Sequence, residues 1–300
     1  MARWTGGSAE YTPAQCLAAV KGSIVLGVTT FDVAAIYGGG ENTAQLPGAR
    51  GVEKLLGAAL ALEPGLRDQI EIVTKCSITS DGAQSMYDTS SAHILQSVER
   101  SLAALQTHFV DVLLIHRPDP LMNADDTALA FELLQREGKV KYFGVSNFTP
   151  SQIELLQDRL GREIRLVTNQ LEISCVETKH LSDPIGDGAL DQCQLARQRP
   201  MAYSPLAKLF QSRDGDEQTG RVLAALKKVA AEVNLPAPSG DAAVTAVAVA
   251  WLNFLPCSPL VVTGSSKPER VQHAIEGLSL PLSRTQWFAI LEASRGVQIP

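Results

Sequence analysis

The chain alternates short, continuously apolar runs with longer amphipathic segments. Continuous apolar runs of this length are typical of strands buried on both faces of a parallel sheet. Seven such runs predict seven strands, at residues 28–34, 70–76, 110–116, 141–146, 166–173, 200–204 and 260–263.

Helical patterns lie between these runs. In residues 92–106, four apolar side chains recur at helical spacing, so that they share one face of the predicted helix: Leu95, Val98, Leu102 and Leu105. The apolar residues of 124–138 have the same helical spacing. Capping-box sequences begin at Thr12, Thr149 and Ser283, which predicts that helices start directly after them. Repeated strand-then-helix units predict a parallel sheet with right-handed crossovers.

This pattern fits either a closed barrel or an open doubly wound sheet. The units run the whole length without a break, and polar candidate residues end several different strands, which favours a single α/β domain over residues 1–300, a (β/α)8 TIM barrel. The weak point is the first strand. Residues 1–10 are interrupted by Gly6, Gly7 and Ser8, so we expect that strand to be missing or degenerate.

Composition narrows the function. The net charge is −6 and no basic run occurs, which argues against a nucleic-acid partner. The apolar stretch 242–255 is too short to span a membrane, and no signal peptide opens the chain, which favours a cytoplasmic location. Five cysteines without CxxC spacing argue against a metal site and predict reduced, mostly buried thiols. The expected partner is therefore a small molecule.

Four side chains suggest chemistry. Asp32 follows a predicted strand, Tyr37 comes five positions later, and Lys75 and His116 end the next two strands. Strand ends of a barrel meet at one mouth. A nearby ammonium favours the ionised phenol and should lower the pKa of Tyr37, while Asp32 would hold Lys75 charged and His116 would orient a carbonyl oxygen or share the proton. Each residue alone has an ordinary structural explanation, as a cap, a packing residue or a satisfied polar group.

Residues 264–270 offer a possible phosphate site. Ser266 and Glu269 could form a capping box around Pro268, and Lys267 and Arg270 would add positive charge to a helix N-terminus. An ordinary solvated helix start is the alternative. No GxGxxG motif occurs, so a Rossmann dinucleotide site is not supported.

Five motifs in order make the chain resemble the aldo-keto reductases: FDVAAIY at 31–37, IVTK at 72–75, DVLLIH at 111–116, GVSNF at 144–148 and TNQ at 168–170. The resemblance covers roughly residues 13–300. HRPDPLM at 116–122 and GVSNFTP at 144–150 are especially similar to a bacterial-type subgroup, the YdhF-like oxidoreductases.

The resemblance implies an NADPH-dependent reductase of aldehydes or ketones, with Asp32, Tyr37, Lys75 and His116 as its catalytic tetrad. It implies that NADPH is bound by Ser146, Asn147, Gln170, Tyr203, Ser204, Pro205, Leu206, Gly264, Ser265, Ser266, Lys267 and Arg270. An NADPH-binding regulatory or scaffold subunit with little turnover, and a chain that folds poorly, are the alternatives. The substrate and the oligomeric state stay open, because substrate loops vary freely in this fold.

Overall fold

The structure, a computed structural model, describes residues 11–38, 50–80, 84–181, 186–206, 209–210, 216–233 and 240–298. The chain forms two compact units, Met1–Asn169 with Gly264–Pro268 and Gln170–Thr263 with Glu269–Pro300. The expected missing or degenerate first strand falls on residues 1–10, outside the described residues.

Strands and helices alternate along the chain. The strands are β1 Thr30–Asp32, β2 Glu71–Cys76, β3 Ile78–Ser80, β4 Ser85–Tyr87, β5 Val110–Ile115, β6 Val140–Ser146, β7 Leu166–Glu172, β8 Met201–Tyr203 and β9 Leu260–Val261. The helices are α1 Pro13–Val25, α2 Gly51–Ala61, α3 Ser91–Leu105, α4 Ala124–Arg136, α5 Pro150–Leu160, α6 Ala189–Leu195, α7 Glu217–Glu232, α8 Asp241–Asn253, α9 Pro268–Leu278 and α10 Arg284–Arg295.

All seven predicted strands are present. In the first unit β1, β2, β5, β6 and the start of β7 are neighbours in that order, and in the second unit the end of β7 is followed by β8 and β9. The strand pairs β1–β2, β2–β5, β5–β6, β7–β8 and β8–β9 are parallel. Their register places Asp32 opposite Val73 and Cys76 opposite Ile115. The sequence did not predict the antiparallel hairpin of β3 and β4, because its three-residue strands contain no apolar run.

The predicted helix starts are confirmed by their caps. Thr12, Thr149 and Ser283 each accept a hydrogen bond from the backbone N–H three residues later, and the side-chain oxygen of the glutamine at that position accepts one from the N–H of the cap residue. These reciprocal bonds satisfy backbone N–H groups that a helix start otherwise leaves open. The caps therefore fix where α1, α5 and α10 leave their preceding loops.

Each unit has its own apolar core. In the first, Phe131 of α4 stacks on Phe143 of β6 with ring centroids 4.2 Å apart, so the helix layer packs directly on the sheet. In the second, Trp251 of α8 and Trp287 of α10 stack at 5.1 Å, and each indole N–H donates to the other residue's carbonyl at 3.0 Å. Burying an aromatic ring together with its satisfied N–H makes this a strong helix–helix contact.

All five cysteines are buried and unpaired, as predicted. Burial raises the pKa of Cys16, Cys76 and Cys193 to about 12 in each case, so these thiols stay protonated and unreactive. Within the described ranges, none of the helices combines the length and the apolar character needed to cross a bilayer.

Candidate active site

The strand ends of the first unit bring the four predicted catalytic residues together. Asp32 is the last residue of β1, Lys75 lies one residue before the end of β2, and His116 directly follows β5. The His116 N–H donates to the carbonyl of Cys76 at 3.0 Å, which extends the β2–β5 pairing to the histidine. Parallel pairing therefore places the ends of three neighbouring strands side by side.

The ammonium of Lys75 lies at the centre of this cluster. Its Nζ donates to both carboxylate oxygens of Asp32 at 2.7 Å and to the carbonyl of Val33 at 2.9 Å, and the side chain is fully buried. Burial lowers the pKa of Lys75, but Asp32 and Tyr37 more than offset it and hold the pKa above its ordinary value. Lys75 therefore carries its charge at neutral pH, as the sequence suggested.

Tyr37 lies against this ammonium. Lys75 Nζ is 4.8 Å from the centre of the phenol ring, which is within range of a cation–π contact. Burial raises the pKa of Tyr37 and Asp32 adds to that effect, whereas Lys75 lowers it. Lys75 lowers the pKa of Tyr37, as predicted from the sequence, but burial raises that pKa by more. The net pKa of Tyr37 is above its ordinary value, so the phenol keeps its proton at neutral pH and is available as a donor.

His116 completes the cluster. Its ring meets the Tyr37 ring edge-on, with centroids 5.8 Å apart and an interplanar angle of 81°. Burial lowers the pKa of His116 well below its ordinary value, and the nearby cations Lys75 and Arg117 lower it further. An uncharged imidazole can orient a carbonyl oxygen through a hydrogen bond but does not carry a spare proton at neutral pH.

Two of the predicted cofactor residues lie at the end of β6 in the first unit, where Ser146 is the last residue of the strand and Asn147 follows it. Ser146 is buried, and Asn147 donates from Nδ2 to Ser146 Oγ at 2.8 Å with its backbone in the left-handed region at φ 60°. Asn169, for which the sequence patterns indicated no role, accepts the N–H of Phe148 and donates to the carbonyl of the same residue. Asn169 therefore locks the turn that presents Asn147.

The predicted phosphate segment begins in the first unit. The hydroxyls of Ser266 and Tyr11 are hydrogen-bonded, and Ser265 Oγ accepts the N–H of Lys267 at 3.1 Å. Helix α9 starts at Pro268, one residue later than the predicted capping box requires. Gly264 and Lys267 are exposed, so this helix start is accessible to a ligand.

The second unit holds the remaining predicted residues. Gln170 is buried and donates to the Met201 sulfur at 3.7 Å, while the Tyr203 hydroxyl donates to Glu172 at 3.5 Å. The segment after Tyr203 begins with Ser204 in the left-handed region at φ 52° and continues with buried Pro205 and half-buried Leu206. Arg270 is exposed in the first turn of α9.

Comparison with known proteins decides the family. The sequence profile described as the Aldo/keto reductase family matches residues 1–295. The chain belongs to the aldo/keto reductase family. It is 42% identical to the uncharacterized oxidoreductase YcsN of Bacillus subtilis, over 99% of this chain and 94% of that protein. It is also 42% identical to the oxidoreductase YdhF of Escherichia coli, over 95% of this chain and 89% of that protein. This confirms the predicted resemblance.

Two further relatives add detail. A 6-dehydroglucose reductase of Agrobacterium fabrum is 39% identical over 98% of this chain and 92% of its own length. A thermostable aldo-keto reductase solved with the inhibitor epalrestat superposes with a TM-score of 0.71 and 22% identity, over 92% of this chain and 86% of that one. The latter likeness confirms the predicted fold class, the α/β barrel of the aldo-keto reductases.

Aldo/keto reductases act on small-molecule carbonyl compounds and typically bind a nicotinamide cofactor. The residue types of this reductase fit that group. Hydroxyl and amide side chains at strand ends suit a carboxamide and a pyrophosphate, and the exposed cations at α9 suit a phosphate. Asn147 and Ser204 both have left-handed backbone, as do five other non-glycine residues of the described chain, so this conformation alone does not mark the site.

Proposed function

We propose that this reductase converts an aldehyde or a ketone to an alcohol with NADPH, and that Tyr37 supplies the proton. The observation that carries the proposal is the buried ammonium of Lys75, held by both oxygens of Asp32 at 2.7 Å and lying 4.8 Å from the Tyr37 ring. A buried ion pair is a poor stabiliser in itself, so a pair beside a protonated phenol supports a chemical role.

Each residue then has a defined part in the reaction. When bound, NADPH supplies a hydride to the carbonyl carbon. Tyr37 gives its phenol proton to the carbonyl oxygen, so the C=O double bond becomes a C–O single bond bearing hydrogen on both atoms. The resulting phenolate is stabilised by the ammonium of Lys75, which Asp32 keeps charged. His116, uncharged, orients the carbonyl oxygen toward Tyr37.

Cofactor preference follows from the charges at α9. Lys267 and Arg270 are exposed near its start and would bind the adenosine 2′-phosphate that NADPH has and NADH lacks. Replacing both with alanine should weaken NADPH binding by about tenfold to a hundredfold per contact and spare NADH, since hydrogen bonds to charged groups contribute about 1.5–3 kcal/mol.

Fluorescence titration with both cofactors measures this preference. The double variant Lys227→Ala, Lys228→Ala, which removes two exposed cations of α7, is the charge-matched control and should bind both cofactors as the wild type does. Equal weakening of NADPH and NADH in the Lys267, Arg270 variant would show that the 2′-phosphate is bound elsewhere.

The activity is tested with purified protein, NADPH and a panel of simple aldehydes, ketones and oxidised sugars. The panel should include 6-dehydroglucose, because a relative that is 39% identical is named for reducing it. We expect carbonyl-dependent NADPH oxidation that Tyr37→Phe reduces by about a hundredfold or more. Tight NADPH binding with no turnover on any member would instead indicate a regulatory subunit. A cytoplasmic location stays a prediction.

A further inference from the structure

The start of helix α2 contacts the backbone that follows the proposed proton donor. The N–H of Val52 donates to the carbonyl of Tyr37 at 3.2 Å. A β-carbon added to Gly51 would lie 2.5 Å from the carbonyl oxygen of Gly38, closer than real β-carbons approach other atoms. The Tyr37–Gly38 backbone therefore rests directly on the first turn of α2.

The same turn is bonded to the strand that carries Lys75. Successive side chains of a strand point to opposite faces, so Thr74 points away from the Asp32–Lys75 pair. Its hydroxyl donates to Glu53 Oε1 at 2.6 Å, and both side chains are fully buried. One turn of helix thus touches the residue before Lys75 on one side and Tyr37 on the other.

Arg50 holds this carboxylate in place. Its guanidinium donates to Glu53 Oε2 at 2.8 Å and also binds the hydroxyls of Ser97 and Ser101 on α3. Arg50 is buried with its backbone in the left-handed region at φ 35°, an uncommon conformation for arginine. Apolar side chains in place of such a buried pair are often as stable or more so, which makes stability a weak explanation for it.

We propose that Glu53, held by Arg50, is a positioning residue that sets the Tyr37 phenol against the Lys75 ammonium. Glu53 acts through Thr74 and through the first turn of α2, without touching the reacting atoms. The inference rests on the proposed function for the roles of Tyr37 and Lys75, but its geometry is independent of the substrate.

The substitution Thr74→Val tests the link to β2 without changing any charge. If the link positions Lys75, turnover should fall by about tenfold to a hundredfold, because small misplacements of reacting groups have effects of that size. The KM for the carbonyl should stay near the wild-type value. Lys75 lowers the pKa of Tyr37, so loosening their contact should move the ionisation of Tyr37 to higher pH.

Ultraviolet absorbance of tyrosinate, corrected with Tyr37→Phe, measures that ionisation in the cofactor-free protein. This second readout works even if no carbonyl substrate is found, so failure of the proposed function is distinguishable from failure of this inference. A role in stability alone would lower the thermal midpoint without moving the ionisation of Tyr37.

Thr127→Val is the matched control, since Thr127 is also fully buried and hydrogen-bonded, but to the carbonyl of Thr89. It should lose comparable stability while keeping wild-type turnover and Tyr37 ionisation. If a folded Thr74→Val protein keeps wild-type values for both readouts, or if Thr127→Val changes them equally, the proposal is wrong.

A second pair of variants decides the question if Thr74→Val does not fold. Gly51→Ala forces a β-carbon against Gly38, whereas Gly65→Ala adds one with no atom within 4 Å. We expect Gly51→Ala to reduce turnover and shift Tyr37 ionisation, and Gly65→Ala to do neither. Identical behaviour of the two alanine variants in both readouts would overturn the proposal.

Discussion

Two charge clusters, each built around a buried charged side chain, lie at opposite ends of the same strands in the first unit. Near the starts of β2, β5 and β6, the carboxylate of Asp111 accepts the N–H of Ile72 at 2.9 Å, Arg67 at 2.8 Å and Lys141 at 2.9 Å. Near the ends, Lys75 donates to Asp32 beside Tyr37 and His116. We call these the Asp111 cluster and the Lys75 cluster.

The difference lies in what their neighbours can do. Burial raises the pKa of Asp111, but Lys141, Ile72 and Arg67 outweigh it and hold the pKa below its ordinary value. Arg67 and Lys141 each also lie 4.1 Å from the Phe109 ring centroid, so the cluster is satisfied by permanent cations. The Lys75 cluster instead contains a phenol that keeps its proton until high pH. Under the proposed function, the feature that separates a reacting cluster from a structural one is a neighbour with a transferable proton, not the burial of charge alone.

Of all the substitutions, Tyr37→Phe should reduce turnover the most. Turnover should fall by about a hundredfold to ten-thousandfold, the usual contribution of a general acid, while NADPH affinity and thermal midpoint stay near wild type. Steady-state kinetics and fluorescence titration measure these quantities. Tyr142→Phe, at a half-exposed tyrosine of β6, is the control and should be silent. If Tyr37→Phe kept wild-type turnover, the phenol would not be the proton donor, and the Lys75 cluster would no longer differ from the Asp111 cluster in chemical role.

Lys75→Met should affect both turnover and stability. It removes the charge that stabilises the phenolate in the proposed reaction, and it leaves the largely buried carboxylate of Asp32 without its ammonium partner. We expect turnover to fall at least tenfold and the free energy of unfolding to drop by about 3 kcal/mol, as when one partner of a buried pair is removed. Urea denaturation and kinetics of the refolded fraction separate the two losses. Unchanged turnover per folded molecule would make the Lys75 cluster purely structural.

Asp111→Asn should reduce stability without reducing turnover, unlike the two substitutions in the Lys75 cluster. Breaking this cluster should reduce the free energy of unfolding by about 2–4 kcal/mol while turnover per folded molecule stays within twofold of wild type. Lys139→Met is the control, since Lys139 pairs with Glu99 and Glu137 at the surface and its loss should leave the free energy of unfolding near the wild-type value. A tenfold loss of turnover in folded Asp111→Asn would show that the two ends are coupled.

Sequence patterns predicted the Lys75 cluster but not the Asp111 cluster. Asp32, Lys75 and His116 each end an apolar run, and parallel strands leave few ways to arrange their ends. Asp111 sits inside such a run, and its partner Arg67 lies in a short 3₁₀ turn that carries no periodic signal. The pattern of apolar and polar residues does not predict that Arg67, in the turn before β2, contacts Asp111 at the start of β5.

The same limit applies to the balance of pKa effects and to the Glu53 network. Local chemistry indicated that Lys75 lowers the pKa of Tyr37, but the degree of burial that outweighs it depends on packing from the whole unit. The sequence patterns indicated no role for Glu53, and only the structure shows that its side chain accepts a hydrogen bond from Thr74 across the helix–strand interface. Pairings between distant segments are what the sequence left undetermined.

The smallest expected difference between the two clusters is in pH dependence: the Asp111 cluster should affect stability at acid pH, and the Lys75 cluster should affect turnover at alkaline pH. The folded pKa of Asp111 is lower than the unfolded value of about 3.9, so its contribution to stability is present above that value and is lost as pH falls through the folded pKa. Asp111→Asn should therefore lose less stability to acid than the wild type between about pH 5 and pH 3, measured by thermal melting across that range. Equal acid sensitivity would mean that Asp111 is not the group responsible.

Turnover should respond at the alkaline end instead. The proposed function requires protonated Tyr37, whose pKa lies above the ordinary value of about 10, so turnover at saturating cofactor and carbonyl should decline only as the phenol ionises at high pH. The pKa of His116 lies well below about 6.5, so the imidazole is already uncharged and should add no step between about pH 6 and pH 8. Kinetics over that range in buffers of constant ionic strength should be flat within about twofold. A step near pH 6.5 that disappears in His116→Asn would show that the histidine carries the reacting proton, and the division between an orienting imidazole and a proton-donating phenol would then be wrong.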